Sequence, residues 1–417
     1  MRLTPVDVIQ ECQVGEGAPG AFFLGDAAAM MPELLERYRG QAQCIYLDPP
    51  FATGNRFVMK MRVGEKDWKG GHPSLTLTAY EDDQDRGAYL AMMRAVLEGA
   101  RALLHDTGVI FLHIDFRMHA QLRLLMDEVF GEHNLLNEII WTYQTGGRAK
   151  RYFSRKHDVI LFYRKGARYF FNIKATGMVN PEARRNHMKR HVDADGRVYR
   201  SIRSGGKVYT YYDDDPVYPS DVWDDVSHLH QKDPQRTGYD TQKPARLLER
   251  IIGCSTRPDD LVMDLFAGSG TTLAVAWSMG RRFAGADAGK PSMHVIRRRL
   301  MGANVSYFAP PAQGRPSVEA RALVGVGYYE VELTRYQMEN GASTRVFPGL
   351  DALDNWAVGY LRDGVFFKMA EEARTLQKPA LSARLRLPVL TGTPAIRLND
   401  VLGRAMYFEL DKDGMEI

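Results

Sequence analysis

The chain is 417 residues long, 45% hydrophobic and 25% charged, with a formal net charge of +4; this is a globular composition and excludes a wholly disordered chain. The longest apolar stretches, such as Val109 to Phe111 and Val159 to Tyr163, fall far short of the roughly 20 residues a membrane helix needs, and the opening MRLTPVDVIQ lacks the pattern of an export signal. Cys12, Cys44 and Cys254 form no Cys-x-x-Cys pair, so neither a disulfide framework nor a structural zinc site is expected, and the expected location is the cytoplasm.

Along the chain, short continuous apolar runs predict strands at Ala21 to Leu24, Cys44 to Leu47, Val109 to Ile114, Val159 to Tyr163, Leu261 to Leu265 and Phe283 to Ala286. Runs without alternation suit strands buried on both faces. Between them, apolar spacing of three and four predicts helices over Tyr89 to Leu104, Ala120 to Phe130, Lys243 to Cys254 and Leu273 to Met279. Asp106-Thr107-Gly108, Gly131 and Gly280 punctuate their ends. Strands alternating with helices predict an α/β fold, a doubly wound and mostly parallel sheet whose ligands sit at the carboxyl ends of the strands.

The first predicted strand end with chemistry is Asp48-Pro49-Pro50-Phe51. Two prolines fix φ and push the preceding residues into extended conformations, so the turn is stiff before a ligand arrives. It presents the Asp48 carboxylate, the Pro49 carbonyl and the Phe51 ring to one small volume, which suits a planar group bearing an NH2. Taken alone, the motif fits a proline-rich loop with a solvated aspartate better than a site.

From Thr142 to Thr210, 17 Lys and Arg face four acids, so this stretch carries +13 and the remainder of the chain −9. Six aspartates and no basic residue follow between Tyr211 and Asp225. A basic face bordered by acid predicts a polyanion partner, although a solvated surface over a small aromatic core shows the same pattern. The candidates for phosphate contact are Arg148, Lys150, Arg151, Arg184, Arg185, Lys189 and Arg190. His187 and His191 have helical metal-ligand spacing without further ligands nearby, so no metal is expected. His113-Ile114-Asp115 reads as structural or pocket-lining, His228 and His230 face DNA or solvent, and Cys254 belongs to the core.

The second chemical strand end is Asp264-Leu265-Phe266-Ala267-Gly268-Ser269-Gly270-Thr271-Thr272. Gly268 and Gly270 let the backbone approach a ligand, the following helix amino terminus favours an anionic group, and Thr271 or Thr272 can cap it. No Gly-Lys-Ser/Thr follows, so this is not a Walker loop, and the glycine spacing departs from G-x-G-x-x-G. The next strand ends in Asp287, placed to hold a ribose diol. After about Ser306, alternating segments at Val326 to Leu333, Leu385 to Leu390 and Ala405 to Leu410 predict a β-rich appendage beyond a Pro310-Pro311 linker.

Asp48-Pro49-Pro50-Phe51 followed much later by Phe266-x-Gly268-x-Gly270 resembles the β class of amino-group DNA methyltransferases, a circularly permuted group of the class I S-adenosylmethionine-dependent fold. Leu24-Gly25-Asp26, the stretch Gly108 to Trp141, the strand His157 to Lys165 and Thr241-Gln242-Lys243-Pro244 resemble further family segments in the same order, so the likeness covers about residues 21 to 303. Leu265 in place of a common proline, Ala288-Gly289-Lys290, and Phe51 where many relatives have tyrosine depart from the pattern. The resemblance implies S-adenosylmethionine as cofactor, with Asp26 at its adenine and Asp287 at its ribose. It places Asp264, Phe266, Ala267, Gly268, Ser269, Gly270 and Thr271 around the methionine moiety, and adds Gln242 and Lys243 to the cofactor site. It implies Asp48, Pro49, Pro50 and Phe51 as the catalytic segment acting on double-stranded DNA in the nucleoid. It also implies halves of a core at 1–141 and 241–305, a recognition region at 142–240 whose strand 157–165 belongs to the core, and a β-rich domain of open role at 306–417.

The chemistry expected is direct methyl transfer to a flipped adenine N6, since aspartate rather than serine opens the first motif. Cytosine N4 is the nearest alternative. A catalytically inactive DNA-binding subunit is the alternative from another class. A second copy of the chain and a cognate restriction endonuclease are candidate partners.

Overall fold

The computed structural model describes residues 3–6, 8, 10–13, 20–50, 56–62, 74–81, 85–143, 149–176, 188–215, 217–230, 233–239, 241–310, 316–337, 349–374 and 378–410. Phe51, Arg148, Arg184, Arg185 and His187 lie outside them.

The predicted sheet is present. Its centre runs Val305–Phe308, Gly20–Leu24, Arg282–Asp287, Leu261–Asp264, Ala42–Leu47 and Leu104–Ile114, all parallel. His157–Arg164 then pairs antiparallel with both Leu104–Ile114 and Leu135–Thr142. Every residue of Ala42–Leu47 is buried, as an unalternating apolar run requires of a strand covered on both sides. Met31–Tyr38, Arg86–Leu103 and His119–Phe130 cover one face, where Leu34, Val96 and Leu122 pack on Phe23, Ile45 and Leu112. Ala245–Ser255, Thr271–Ser278 and Lys290–Arg299 cover the other, packing on Phe22, Tyr46 and Val262. The helices change sides between Leu261–Asp264 and Ala42–Leu47, which places the two chemical strand ends side by side at the switch point.

Asp85 caps the helix from Arg86, accepting from Gly87 N at 2.9 Å. The helix ends at Leu103, but Asp106-Thr107-Gly108 does not interrupt the next element: one strand runs from Leu104 to Ile114 through an irregularity opposite Ala42 and Cys44. Glycine is needed there, because a Cβ on Gly108 would lie 2.7 Å from the Ala42 carbonyl oxygen. Gly280, at φ +71°, closes the helix Thr271–Ser278 as expected of a left-handed cap.

Within the segment 142–240, Lys189–Val192, Val198–Ser204 and Lys207–Tyr212 form a three-stranded antiparallel sheet. The chain then returns to the core edge, where Val222–Trp223 pairs parallel with Ile140 and Trp141. The acidic run is largely spent internally: Arg197 pairs with Asp214 at 2.8 Å, Arg200 with Asp213 at 3.2 Å, and Arg250 with Asp225 at 2.5 Å.

The C-terminal part is β-rich, and it continues the core sheet. Gln10–Gln13 lies between Val305–Phe308 and Val365–Ala373, and the sheet runs on through Leu353–Arg362, Thr393–Asp400 and Ala405–Leu410 to Leu3–Val6. A second sheet of Ser317–Gly325, Tyr328–Gln337 and Arg384–Pro388 packs on it, with Val331, Leu333 and Tyr336 against Trp356, Val358 and Leu398. At the seam Glu11 is 1% exposed and accepts from Arg297 Nη1 at 2.5 Å, Arg397 Nη1 at 3.2 Å and the Tyr407 hydroxyl at 3.0 Å. Arg397 also donates to Glu371 at 2.5 Å, and Lys368 to Glu371 at 2.7 Å. Among the described residues, no helix is long and apolar enough to cross a membrane.

Candidate active site

The turn after Leu261–Asp264 is built by its own side chains. Asp264 is buried, accepting from Phe266 N at 3.0 Å and from the Thr272 hydroxyl at 2.5 Å. Gly268 and Gly270 have φ of +50° and +72°, the left-handed region that glycine enters without strain. A Cβ on Gly270 would lie 2.5 Å from Ile296 Cγ1, so this position also needs glycine for packing against the helix Lys290–Arg299. Gly270 is the N-cap of the helix Thr271–Ser278, and no side chain caps it. This corrects the expected threonine cap: Thr272 is committed to Asp264, and Thr271 accepts from Arg299 Nη1 at 2.6 Å. The amide donors of that first turn, left without a side-chain cap, suit a carboxylate ligand.

Burial pushes the Asp264 carboxyl up to about 7, with the Asp48 and Asp287 charges adding to the effect. Burial also raises Asp287, against hydrogen bonds from Gly289 N at 2.8 Å and Gly268 N at 2.7 Å. Asp287 therefore braces the glycine turn through Oδ2 and the chain just after itself through Oδ1. Each oxygen keeps a further lone pair for a hydroxyl. Asp26 is exposed and accepts from Ala28 N and Ala29 N, both at 3.0 Å.

At the neighbouring strand end Pro49 is buried, and Asp48 Oδ2 forms a close ion pair with Lys243 Nζ. Asp48 Oδ1 is buried with no hydrogen-bond partner. A cavity of about 220 Å³ joins Asp26, Asp48, Pro50, Lys243, Asp264 and Asp287, with Phe266 to Ser269 and Thr271 along one wall. Four carboxylates around one small volume suit a cationic ligand.

Of the sequence candidates, Gln242 stands apart. Its buried amide accepts from Thr237 N at 2.9 Å and donates to the Gln235 carbonyl at 2.7 Å. It braces that loop and does not line the cavity. Lys243 does line it, but against Asp48. Lys150, Arg151, Lys189 and Arg190 are exposed, as phosphate contacts require.

Sequence reasoning missed Tyr46, Met92, Tyr239 and Thr241, which complete the cavity wall. It also missed Arg299, whose guanidinium holds the Ser269 carbonyl at 3.1 Å and is pushed down to about 10 by burial. Tyr46 and Met92 read as ordinary core residues, and Arg299 as one of three consecutive arginines. Behind Asp48, the Tyr46 hydroxyl lies 2.8 Å from His113 Nδ1, and His113 Nε2 lies 3.1 Å from Asp158 Oδ2. His113 is thus a buried structural link, in keeping with its sequence reading. His228 packs on Trp141 and Tyr143, with ring centroids 6.1 and 5.8 Å apart. Cys254 is buried as expected.

A family model described as DNA methylase matches residues 42–298. The type II methyltransferase M.EcaI of Enterobacter cloacae is 28% identical over 328 residues, 68% of this chain and 69% of that protein. The DNA adenine methyltransferase YhdJ of Escherichia coli K12 is 27% identical, over 66% of this chain and 81% of its own length. Against other curated relatives, modification subunits of type III restriction-modification enzymes, the chain spans about half of their length. A DNA modification methylase structure from Thermus thermophilus, solved with S-adenosyl-L-methionine, aligns over 70% of this chain and all of its own, with 17% identity and a TM-score of 0.42.

Proposed function

The chain belongs to the DNA methylase family of amino-group methyltransferases, which modify N6 of adenine or N4 of cytosine, and from that premise we propose that it methylates N6 of adenine at a specific site in duplex DNA. The observation that carries this reading is Asp48 Oδ1, a buried acceptor without a partner, at the edge of a cavity that has the glycine turn along one wall. A buried acceptor left unsatisfied costs about 1–3 kcal/mol. An exocyclic amine donating to it would recover that cost.

The family's methyl donor is S-adenosylmethionine, and the cavity fits it. Its ammonium and sulfonium charges match the ring of carboxylates, and its carboxylate matches the uncapped helix start at Thr271. Asp26 is assigned to its adenine, Asp287 to its ribose, and Phe266, Gly268 and Gly270 to its methionine moiety. When bound, it supplies a methyl group already activated on a sulfonium. Asp48 Oδ1 accepts an amine proton, drawing the nitrogen lone pair out of conjugation with the base. The Pro49 carbonyl accepts a hydrogen bond from the second N–H, and the single proton freed when the N–CH3 bond forms leaves by way of Asp48 Oδ1 to solvent. Lys243 holds Asp48 Oδ2, so the carboxylate is aimed before the base arrives.

No cysteine is suited to covalent catalysis. Burial pushes the Cys44 thiol up to about 12 and raises Cys12 and Cys254 as well, and none of the three follows a proline. Transfer is therefore direct. A base amine inside a duplex must be flipped out, at a cost of a few kcal/mol. Lys150, Arg151, Lys189 and Arg190, on the segment 142–240, hold phosphates and set register.

Modification-sensitive sequencing of DNA from cells expressing wild type and Asp48→Ala tests the reading. A methylated-adenine motif is expected with wild type and absent with the variant. Methylated cytosine in its place makes the enzyme an N4 methyltransferase. Protein that binds S-adenosylmethionine yet labels no DNA base makes it a DNA-binding subunit.

A further inference from the structure

Beside the cofactor cavity, past Ile114 and at the start of His157–Arg164, lies a second cavity of about 530 Å³ that the reaction above does not use. Asp115 and Asp158 line it together with the rings of Phe116, Tyr143 and Tyr152 and the guanidinium groups of Arg155 and Arg117, the latter ion-paired with Asp115. Arg155 Cζ lies 3.9 Å from the Phe116 ring centroid and 5.0 Å from that of Tyr152. Phe116 and Tyr152 are nonetheless 44% and 63% exposed. Two stacked but uncovered rings around a planar cation form a platform for another planar group.

The opposite wall is fixed. Asp158 accepts from the Tyr143 hydroxyl at 3.0 Å and meets His113, which meets Tyr46. Tyr46 stands two residues before Asp48 on the same chain segment. The pocket is therefore braced against the strand that presents the catalytic carboxylate.

We propose that this second pocket holds an unpaired nucleobase of the DNA, a neighbour of the target base on the same strand. The inference rests on the DNA methyltransferase reading above and adds a second base to it. Neighbouring strands of a sheet lie about 4.8 Å apart, so the two pockets are within reach of successive nucleotides. Rings and guanidinium supply sequence-tolerant stacking, and Asp158, whose oxygens each keep a further lone pair, accepts hydrogen bonds from an amino group. Exposed Lys150 and Arg151 lie on the same segment for the phosphate backbone.

The test compares a DNA duplex carrying one bulged 2-aminopurine with the same duplex fully paired. Binding of the full chain should quench the bulged base. The double variant Phe116→Leu/Tyr152→Leu changes exposed side chains only and should weaken binding to the bulged duplex roughly tenfold, with binding of the paired duplex and of S-adenosylmethionine unchanged. The double variant decides, because a bulged base can also enter the cavity beside Asp48. Unquenched 2-aminopurine, or a double variant that binds the bulged duplex as tightly as wild type, overturns the proposal. Methyl transfer to genomic DNA is measured in parallel. Transfer without stacking refutes the second pocket alone, whereas stacking without transfer refutes the methyltransferase reading alone.

Discussion

Two groups of buried carboxylates lie on opposite sides of the helix Lys290–Arg299, and they are handled in opposite ways. At the seam with the C-terminal sheet, burial alone would raise Glu11 and Glu371. Arg297, Arg397 and Lys368 instead hold Glu11 below its usual range, and Arg397 with Lys368 hold Glu371 at about 2. At the glycine turn, Asp264 is as deeply buried and Asp287 half-buried, and they receive only backbone amides and hydroxyls; both are raised. A carboxylate whose role is architectural carries its counter-ion with it. One that lacks a cation in a cavity is poised for a cation brought by a ligand.

The largest test of this contrast is Glu11→Gln. Removing one partner leaves Arg297 and Arg397 buried and undercompensated, so stability should fall by about 3–5 kcal/mol, read from the denaturant midpoint. An unchanged midpoint would mean that the seam is not held by charge. Lowered carboxyls contribute stability above their unfolded values near 4.5 that is lost as pH falls toward the folded ones. Acid unfolding of wild type between about 4.5 and about 2 should therefore be blunted in Glu11→Gln.

Lys243→Met comes next. It frees Asp48 Oδ2 from its ion pair, and turnover should fall by up to roughly a hundredfold through loss of aim, while the KM for DNA changes little. A change confined to cofactor affinity would return Lys243 to the cofactor site alone.

For Asp264 the sign is reversed. A raised carboxyl contributes stability that is greatest below 3.8 and is lost as pH rises toward about 7. Asp264→Asn should therefore be the more stable protein by about 1–3 kcal/mol at pH 8, with the difference vanishing near pH 4. Binding of S-adenosylmethionine at pH 6.5 should release more protons from wild type than from Asp264→Asn, as measured by calorimetry in two buffers of different ionisation enthalpy. The smallest effect is expected outside both clusters. Charge reversal at Lys189 and Arg190 should weaken DNA binding a few-fold and reduce its salt slope by roughly one unit per lost phosphate contact.

The parts legible in the sequence were those where one local signal sufficed. Cys44 to Leu47 and Leu261 to Leu265 announced strands by composition, and Asp48, Gly268 and Gly270 stood in motifs tied to strand ends. The roles that were less legible depend on distant partners. Lys243 lines the cavity, but nothing near it in the sequence signals its ion pair with Asp48, 195 positions away. Gln242 reads as a cofactor residue until its amide meets Thr237 and Gln235. The acidic run at Asp213 to Asp215 reads as a border because the hairpin that folds it onto Arg197 and Arg200 is not encoded in charge count. Nothing in Gln10–Gln13 signals that a four-residue strand will join the core strands to the C-terminal ones in one sheet.

That interleaving bears on synthesis. Leu3 pairs with Leu410, and Gln10 with Val365, so segments made first receive their partners about 400 residues later. At 5–20 residues per second the ribosome takes roughly 20–80 s to supply them. Through that interval Glu11 waits without Arg397, while the core strands between Gly20 and Asp287 can already assemble. Nascent chains halted near residue 310 should therefore carry a formed cofactor turn beside a sticky, unpaired sheet edge, the kind of surface that chaperones cover.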